Sequence, residues 1–127
     1  MRYLLDTHTF IWLDSDPSRL SSRVRAVCID PANTLLLSVA SVWEMQIKRQ
    51  LGKLALSDPL STVIARQRSN GVNVLPISIP HVLGLEGLPF HHKDPFDRML
   101  IAQANVDGII LLSADHIFAS YTVSVLW

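Results

Sequence analysis

Short apolar runs alternate along the chain with longer segments in which apolar residues recur at helical spacing. The runs rich in leucine and β-branched residues, which we predict to be strands, are residues 3–5, 34–37, 72–77, 109–112 and 123–126. Strands that alternate with helices predict a mostly parallel sheet with helices on both faces. We therefore expect an α/β/α sandwich.

Proline, asparagine and glycine mark the ends of the helices between these strands. Asp16-Pro17, Asp58-Pro59 and Asp94-Pro95 predict helix starts, because Asp caps a helix well and proline is favoured in the first turn. Asn70-Gly71 and Asp107-Gly108 are typical of helix ends, where a left-handed residue closes the last turn. The segment from Asp94 to Gly108 is the clearest helix, and a further one is expected to end near residues 51–52.

Length and composition favour one soluble domain spanning residues 1–127. Hydrophobic residues make up 49% of the chain, enough for a full core, yet no apolar run reaches the ~18 residues that a membrane helix needs. Cys28 is the only cysteine, which excludes a disulfide within one chain and fits a reducing cytoplasm. The formal net charge is zero, unlike that of a protein that coats nucleic acid through a basic surface.

Four acids fall where this fold would place a binding crevice. Asp6 directly follows the first strand and Asp115 lies just past the fourth. Ligands of open parallel sheets bind outside the carboxyl ends of the strands. Glu44 lies early in the helix after the second strand, on the same edge. Asp97 lies in the first turn of the last long helix, and it joins this edge only if the preceding loop brings that helix end there.

Each acid also has a purely structural interpretation. Ser41 and Glu44 match a capping box, whereas Asp94 and Asp97 match an N-cap followed by a first-turn acid. The remaining two acids would order a turn and cap a short helix. Four acids at one edge would nevertheless repel each other and raise one another's pKa values, which a bound cation would offset.

The ligand types favour Mg²⁺ or Mn²⁺ as that cation. Hard oxygen ligands without paired His or Cys suit these ions, not zinc or copper. The five histidines show no metal-site spacing, and we expect surface or loop roles for them, including the adjacent His91 and His92. Magnesium held by few carboxylates completes its shell with water and phosphate oxygens. The predicted chemistry is phosphodiester hydrolysis.

Four segments carry a resemblance to a known family: Leu4-Leu5-Asp6-Thr7-His8, Ser41-Val42-Trp43-Glu44, His92-Lys93-Asp94-Pro95-Phe96-Asp97-Arg98 and Ser113-Ala114-Asp115. Together they resemble the PIN-domain ribonucleases, and more narrowly the VapC-type toxins of bacterial toxin–antitoxin pairs. The segment from His92 to Arg98 is the most specific, and the likeness continues to the last strand. It implies a PIN-like α/β fold.

The resemblance also implies roles for individual residues. The acids that match the family's metal site are Asp6, Glu44, Asp97 and Asp115. Thr7 and Ser113 match hydroxyl positions beside that site, with Ser113 in place of the commoner threonine. Asp94 matches a recurrent acid that either supports the site or caps its helix. Arg98 would pair with a carboxylate, contact phosphate or form a salt bridge on the helix surface.

The partners implied are an RNA substrate, a cognate antitoxin protein and a second copy of the chain in a homodimer. An apolar group would suit an antitoxin helix, or else belongs to the core: Trp43, Ile47, Leu51, Leu54 and Leu56. A basic group would hold RNA backbone, or else is an ordinary solvated surface: Lys48, Arg49, Lys53, Arg66 and Arg68.

Two other functions fit part of the pattern. A phosphatase of the haloacid-dehalogenase type, or a receiver domain, also places an Asp after the first strand. The phosphatase motif needs a second Asp where this chain has His8, and no lysine follows the fourth strand as a receiver requires. A PIN-like module that binds without cutting would lack one of the acids, and none is missing.

Overall fold

The computed structural model describes all 127 residues and contains one five-stranded sheet. Its strands are β1 Arg2–Leu5, β2 Thr34–Ser38, β3 Val72–Leu75, β4 Ile110–Leu112 and β5 Val125–Leu126. They lie in the order β3-β2-β1-β4-β5, and every neighbouring pair is parallel. The predicted mostly parallel sheet is confirmed.

Six α-helices connect the strands: α1 Thr7–Ser15, α2 Ser22–Ile29, α3 Val39–Gln50, α4 Leu60–Ser69, α5 Ile79–Leu83 and α6 Pro95–Asp107. Two 3-10 turns, Pro17–Arg19 and His116–Ser120, complete the chain. The predicted end of α6 is confirmed, because Gly108 has a φ of 65° and closes the helix in the left-handed conformation. None of the helices combines the length and apolar character needed to span a bilayer.

The sheet separates two apolar clusters. Tyr3 and Leu5 of β1 belong to the first cluster and Leu4 to the second, because successive side chains of a strand point to opposite faces. The first cluster also contains residues of α1, α2, α3 and α4, among them Phe10, Val24, Met45 and Val63. The second contains residues of α6, among them Leu100, Ile101 and Ala104. The predicted sandwich with helices on both faces is therefore confirmed.

Three expected boundaries are wrong. Asp16-Pro17 begins only a 3-10 turn, because the Asp16 side chain makes no capping bond there; α2 begins six residues after Asp16, at Ser22, where the Oγ atom of Ser21 accepts the N–H of Val24 at 3.1 Å. The third strand stops at Leu75, since Pro76 has no N–H to donate to a neighbouring strand. The last strand begins at Val125, later than predicted.

The parallel arrangement brings the functional segments to one edge. Asp6 follows β1, α3 follows β2 and Ser113 follows β4, so all three lie at the carboxyl ends of adjacent strands. The start of α6 reaches the same region, where Phe96 packs edge-on against Trp43 of α3 with ring centroids 5.3 Å apart. The loop before α6 therefore brings the start of that helix, and with it Asp97, to this edge of the sheet.

Candidate active site

Asp6 is buried and held by two donors. It is the N-cap of α1, where Oδ1 accepts the N–H of Thr9 at 2.8 Å. Its other oxygen, Oδ2, accepts the hydroxyl of Ser113 at 2.5 Å. Burial raises the pKa of Asp6, and the hydrogen bonds from Ser113 and Thr9 oppose that rise. The capping interpretation of Asp6 is correct, and it coexists with a position at the edge of the sheet.

Glu44 is also buried and is held from two sides. The Oγ1 hydroxyl of Thr7 donates to Oε1 at 2.6 Å, and the ammonium of Lys48 lies 2.6 Å from Oε2. Thr7 Oγ1 is in turn 3.0 Å from the Oγ atom of Ser41. Thr7 directly follows Asp6, so its hydroxyl links Glu44 to the segment that carries Asp6.

The capping-box interpretation of Glu44 is wrong. Ser38, not Ser41, is the N-cap of α3, and its hydroxyl accepts the N–H of Ala40 at 3.0 Å. The helix therefore starts earlier than the Ser41–Glu44 spacing suggested. Glu44 lies beyond the first turn, where its carboxylate is free to contact other elements.

Asp97 lies in the first turn of α6, behind a regular cap. Asp94 Oδ1 accepts the N–H groups of Phe96 and Asp97 at 2.9 and 3.0 Å, so the capping interpretation of Asp94 is confirmed. The Nε2 atom of His92 lies 3.1 Å from Asp97 Oδ2. Burial, and then the charges of Asp94 and Glu44, raise the pKa of Asp97 to about 6. Glu44 can act on Asp97 because α3 and α6 pack together here, through the rings of Trp43 and Phe96.

Asp115 is exposed and begins the second 3-10 turn, where Oδ1 accepts the N–H of Ile117 at 3.0 Å. Ser113 connects Asp115 to Asp6, because its Oγ atom accepts the N–H of Asp115 at 3.0 Å while donating to Asp6. Both acids line one surface pocket of about 230 Å³, whose other walls are His8, Trp12 and Ala114.

The four acids are thus arranged as two pairs. The first pair is Asp6 and Asp115, which line the same pocket and both contact Ser113. The second pair is Glu44 and Asp97, in which the charge of Glu44 acts on Asp97. Thr7 joins the two pairs, because it follows Asp6 and donates to Glu44. No three His, Cys, Asp or Glu side chains are close enough to hold a metal ion together. The donors fit magnesium bound in its usual mode, by one or two carboxylates with water and phosphate oxygens.

Arg98 does not contact any carboxylate, so neither predicted ion pair forms. Its buried guanidinium donates to the carbonyl oxygens of Pro89 at 2.7 Å and Leu88 at 3.3 Å. It also lies 4.1 Å from the centroid of the Phe90 ring. Arg98 therefore fastens the loop that precedes α6, a role that depends on the folded loop and has no signal in the helix sequence.

The residues of the basic group and of the apolar group do not all have the roles predicted for them. Arg66 forms ion pairs with Asp14 at 2.9 Å and Asp58 at 3.1 Å, which lower the pKa of Asp14 and raise that of Arg66. It joins α4 to α1, unlike an arginine left free for RNA. Among the apolar group, Trp43 and Leu51 are 60% and 62% exposed, whereas Ile47 is half-buried and Leu54 and Leu56 pack against the first cluster.

Comparison with known families decides the identity of the domain. The model of the PIN domain matches residues 3–123. The chain belongs to the PIN domain family. The match includes all four acids and the sheet except Arg2 of β1 and the edge strand β5.

This PIN domain is similar in sequence to a named ribonuclease and similar in fold to solved complexes. Ribonuclease VapC16 of Mycobacterium tuberculosis is 38% identical over 61 residues, 47% of this chain and 42% of that protein, so the match spans less than half of the relative. VapBC2 of Rickettsia felis, solved with a promoter DNA fragment, has a TM-score of 0.76 at 13% identity and covers 99% of this chain and 98% of its own. A toxin–antitoxin complex of Klebsiella pneumoniae has a TM-score of 0.61 at 19% identity, covering 98% and 96%. The two solved structures establish the likeness of fold.

Two contacts of the PIN domain site were not predicted from the sequence. His92 lies in the loop before α6, as predicted, and its ring also contacts Asp97 on one side and Tyr121 on the other. For Lys48 the sequence predicts either a contact with RNA or an ordinary solvated surface position, and the structure pairs it with Glu44. The spacing of Glu44 and Lys48, four residues apart on one helix, is a sequence signal for that pair. No comparable local signal links Tyr121 to His92.

Proposed function

We propose that this PIN domain is a metal-dependent endoribonuclease that acts as the toxin of a toxin–antitoxin pair. One observation carries the proposal: acids from four separate segments of the chain converge on one edge of the sheet, and neighbouring hydroxyl groups hold two of them in place. Buried carboxylates close to each other destabilise a fold, and a bound cation would offset that cost. The similarity to a relative named as a ribonuclease supports RNA as the substrate.

The proposed metal ligands are Asp6, Glu44, Asp97 and Asp115, with Mg²⁺ as the natural ion and Mn²⁺ as its substitute. When bound, such a cation activates a water molecule and offsets the charge that develops on the phosphoryl group. The chain itself orients the carboxylates. Ser113 and the N–H of Thr9 fix Asp6, and Thr7 fixes Glu44, so these two carboxylates are held in place by the protein itself.

The proposed partners are a cognate antitoxin and a second copy of the chain, and the proposed location is the cytoplasm. The fold neighbours named as VapBC and toxin–antitoxin complexes support the antitoxin. The large apolar side chains of Trp43, on α3, and Leu51, just after it, are exposed on the surface. These side chains suit an amphipathic helix laid across them, the common way in which a helical partner buries its apolar face.

The decisive experiment is an RNA cleavage assay with Mg²⁺ or Mn²⁺, comparing the parent with Asp6→Asn and Asp97→Asn. We expect each variant to lose cleavage by at least about 100-fold, since each removes a charge proposed to bind metal. Asp30→Asn is the matched control, because Asp30 lies before β2 at the opposite edge of the sheet. If both variants keep metal-dependent cleavage, the proposed site is wrong. If the parent shows no metal-dependent cleavage, the protein is instead a module that binds without cutting.

A further inference from the structure

His92 lies between Tyr121 and Asp97. Its Nδ1 atom is 2.7 Å from the phenolic oxygen of Tyr121, and its Nε2 atom is 3.1 Å from Asp97 Oδ2. Tyr121 is buried, and the side chains of His92 and Asp97 are only 20% and 22% exposed. The three side chains therefore form one continuous hydrogen-bonded chain that leads from the second apolar cluster to the acidic edge.

The donors around Tyr121 determine which nitrogen of His92 carries the proton. The phenolic oxygen accepts the backbone N–H of His92 at 3.2 Å and an N–H of Arg98 at 3.3 Å. Arginine and backbone N–H groups can only donate, so these two bonds use the acceptor capacity of the oxygen. Two acceptors are then within reach of the tyrosine hydrogen, the backbone oxygen of His92 at 3.5 Å and Nδ1 of His92 at 2.7 Å, and the much shorter contact favours Nδ1. A neutral imidazole that accepts at Nδ1 carries its proton on Nε2, which faces Asp97.

This arrangement leaves one oxygen of Asp97 open. Oδ2 accepts from His92, whereas Oδ1 receives no hydrogen bond from the protein. Both oxygens of Asp6 and both of Glu44 have donors. Asp97 is therefore held at one atom only, and His92 is the only side chain that holds it.

We propose that His92 is a positioning residue: Tyr121 fixes its Nε2–H tautomer, and this N–H holds Asp97 Oδ2 so that Oδ1 faces the site. The role rests on the proposed function, in which Asp97 binds the metal. Partners that orient a metal ligand through its second atom commonly set the geometry of that ligand. Without His92 the Asp97 carboxylate would rotate about its side-chain bonds, and metal binding would have to restrict it.

The tautomer can be tested without any assay of cleavage. We expect ¹⁵N NMR of the metal-free protein to show the His92 proton on Nε2. Tyr121→Phe keeps the packed ring and removes only the hydroxyl, so we expect the Nδ1–H tautomer to become populated in that variant. A parent protein with the proton on Nδ1, or a Tyr121→Phe protein with an unchanged His92 spectrum, would overturn the proposal. Either result is independent of whether the protein cuts RNA.

The effect on Asp97 is tested by Mn²⁺ titration calorimetry. We expect His92→Ala to weaken Mn²⁺ binding by about 10 to 100-fold, the usual cost of losing a partner of a metal ligand. His92→Gln places an amide N–H near the former Nε2 and should recover most of the affinity, whereas His92→Asn places it near Nδ1 and should not. His91→Gln is the control, because His91 packs on the Tyr121 ring at 4.8 Å without contacting Asp97.

Cleavage kinetics of the same variants complete the test. We expect kcat to fall in His92→Ala while KM for RNA stays the same, and we expect His92→Gln to restore kcat. Circular dichroism verifies that each variant is folded, and Tyr121→Phe supplies a variant with an intact core. Equal Mn²⁺ affinity and kcat in His92→Ala and the parent would refute the role. A parent that binds Mn²⁺ in a His92-dependent way without cutting RNA would instead contradict only the proposed function.

Discussion

The ammonium of Lys48 lies 2.6 Å from Oε2 of Glu44, four residues earlier on α3. Lys48 is 39% exposed, whereas Glu44 is 7% exposed, so a partly solvated cation neutralises a buried carboxylate. The group of acids therefore includes one positive charge that the protein itself supplies. That charge offsets part of the repulsion that Glu44 exerts on Asp97.

Replacing Lys48 should make folding depend more strongly on metal. We expect Lys48→Met to lower the free energy of unfolding by roughly 1 kcal/mol, since the pair is partly exposed but its carboxylate is buried. Saturating Mg²⁺ should recover more stability in this variant than in the parent, because the ion replaces the missing charge. Urea unfolding with and without Mg²⁺ measures both effects. Lys53→Met is the control, and equal Mg²⁺ effects in all three proteins would contradict the prediction.

Removing the hydroxyl of Ser113 should destabilise the domain through Asp6. In Ser113→Ala, one oxygen of the buried Asp6 carboxylate loses its side-chain donor, which costs about 1–3 kcal/mol at neutral pH. Ser113→Thr keeps the hydroxyl and should retain most of the stability. Thermal unfolding of both variants tests this, with the exposed Ser120→Ala as control. If the alanine variant is as stable as the threonine variant, the hydroxyl does not support Asp6.

Acidification should stabilise the metal-free protein over the range in which Asp97 titrates. Its folded pKa of about 6 exceeds the ordinary value of 3.8, so the folded state binds more protons between these values. Stability therefore falls as the pH rises from about 4 to 6, by on the order of 2 kcal/mol from this group. Asp6 contributes in the same direction.

Urea unfolding in EDTA across this pH range measures the slope. Asp97→Asn removes the titrating group, so its free energy of unfolding should depend less on pH and should exceed that of the parent at neutral pH. Asp30→Asn should retain the parental slope. A slope that is identical in the Asp97 and Asp30 variants would show that Asp97 titrates normally.

Chelating the divalent metal should abolish cleavage and lower the melting temperature only slightly. Each acid has protein partners, and both apolar clusters form without any metal ligand in them. Calorimetry with EDTA, followed by an RNA assay after Mg²⁺ is restored, separates stability from activity. Unfolding on chelation would instead indicate a structural metal.

The sequence by itself determined the features that arise from neighbouring residues. The caps of Asp94 and Gly108 and the alternation of strands with helices are local, so a few residues suffice to predict them. From the parallel sheet it followed that Asp6 and Asp115 would meet at one edge. The same local reasoning failed at Asp16-Pro17, where a good cap sequence begins only a short 3-10 turn.

Only the tertiary structure decided how the acids are held. Ser113 contacts Asp6 across 107 positions and Tyr121 contacts His92 across 29, so neither contact has a periodicity or spacing to reveal it. Asp97 reaches the edge because the buried Arg98 holds the loop before α6 in place. The partners of Arg98 in that loop are backbone carbonyl oxygens, which every residue has, so the sequence gives no signal for these contacts. Long-range contacts depend on the packing of whole elements, which the sequence does not reveal. The four acids were therefore predicted as one cluster, whereas the structure arranges them as two pairs joined by Thr7.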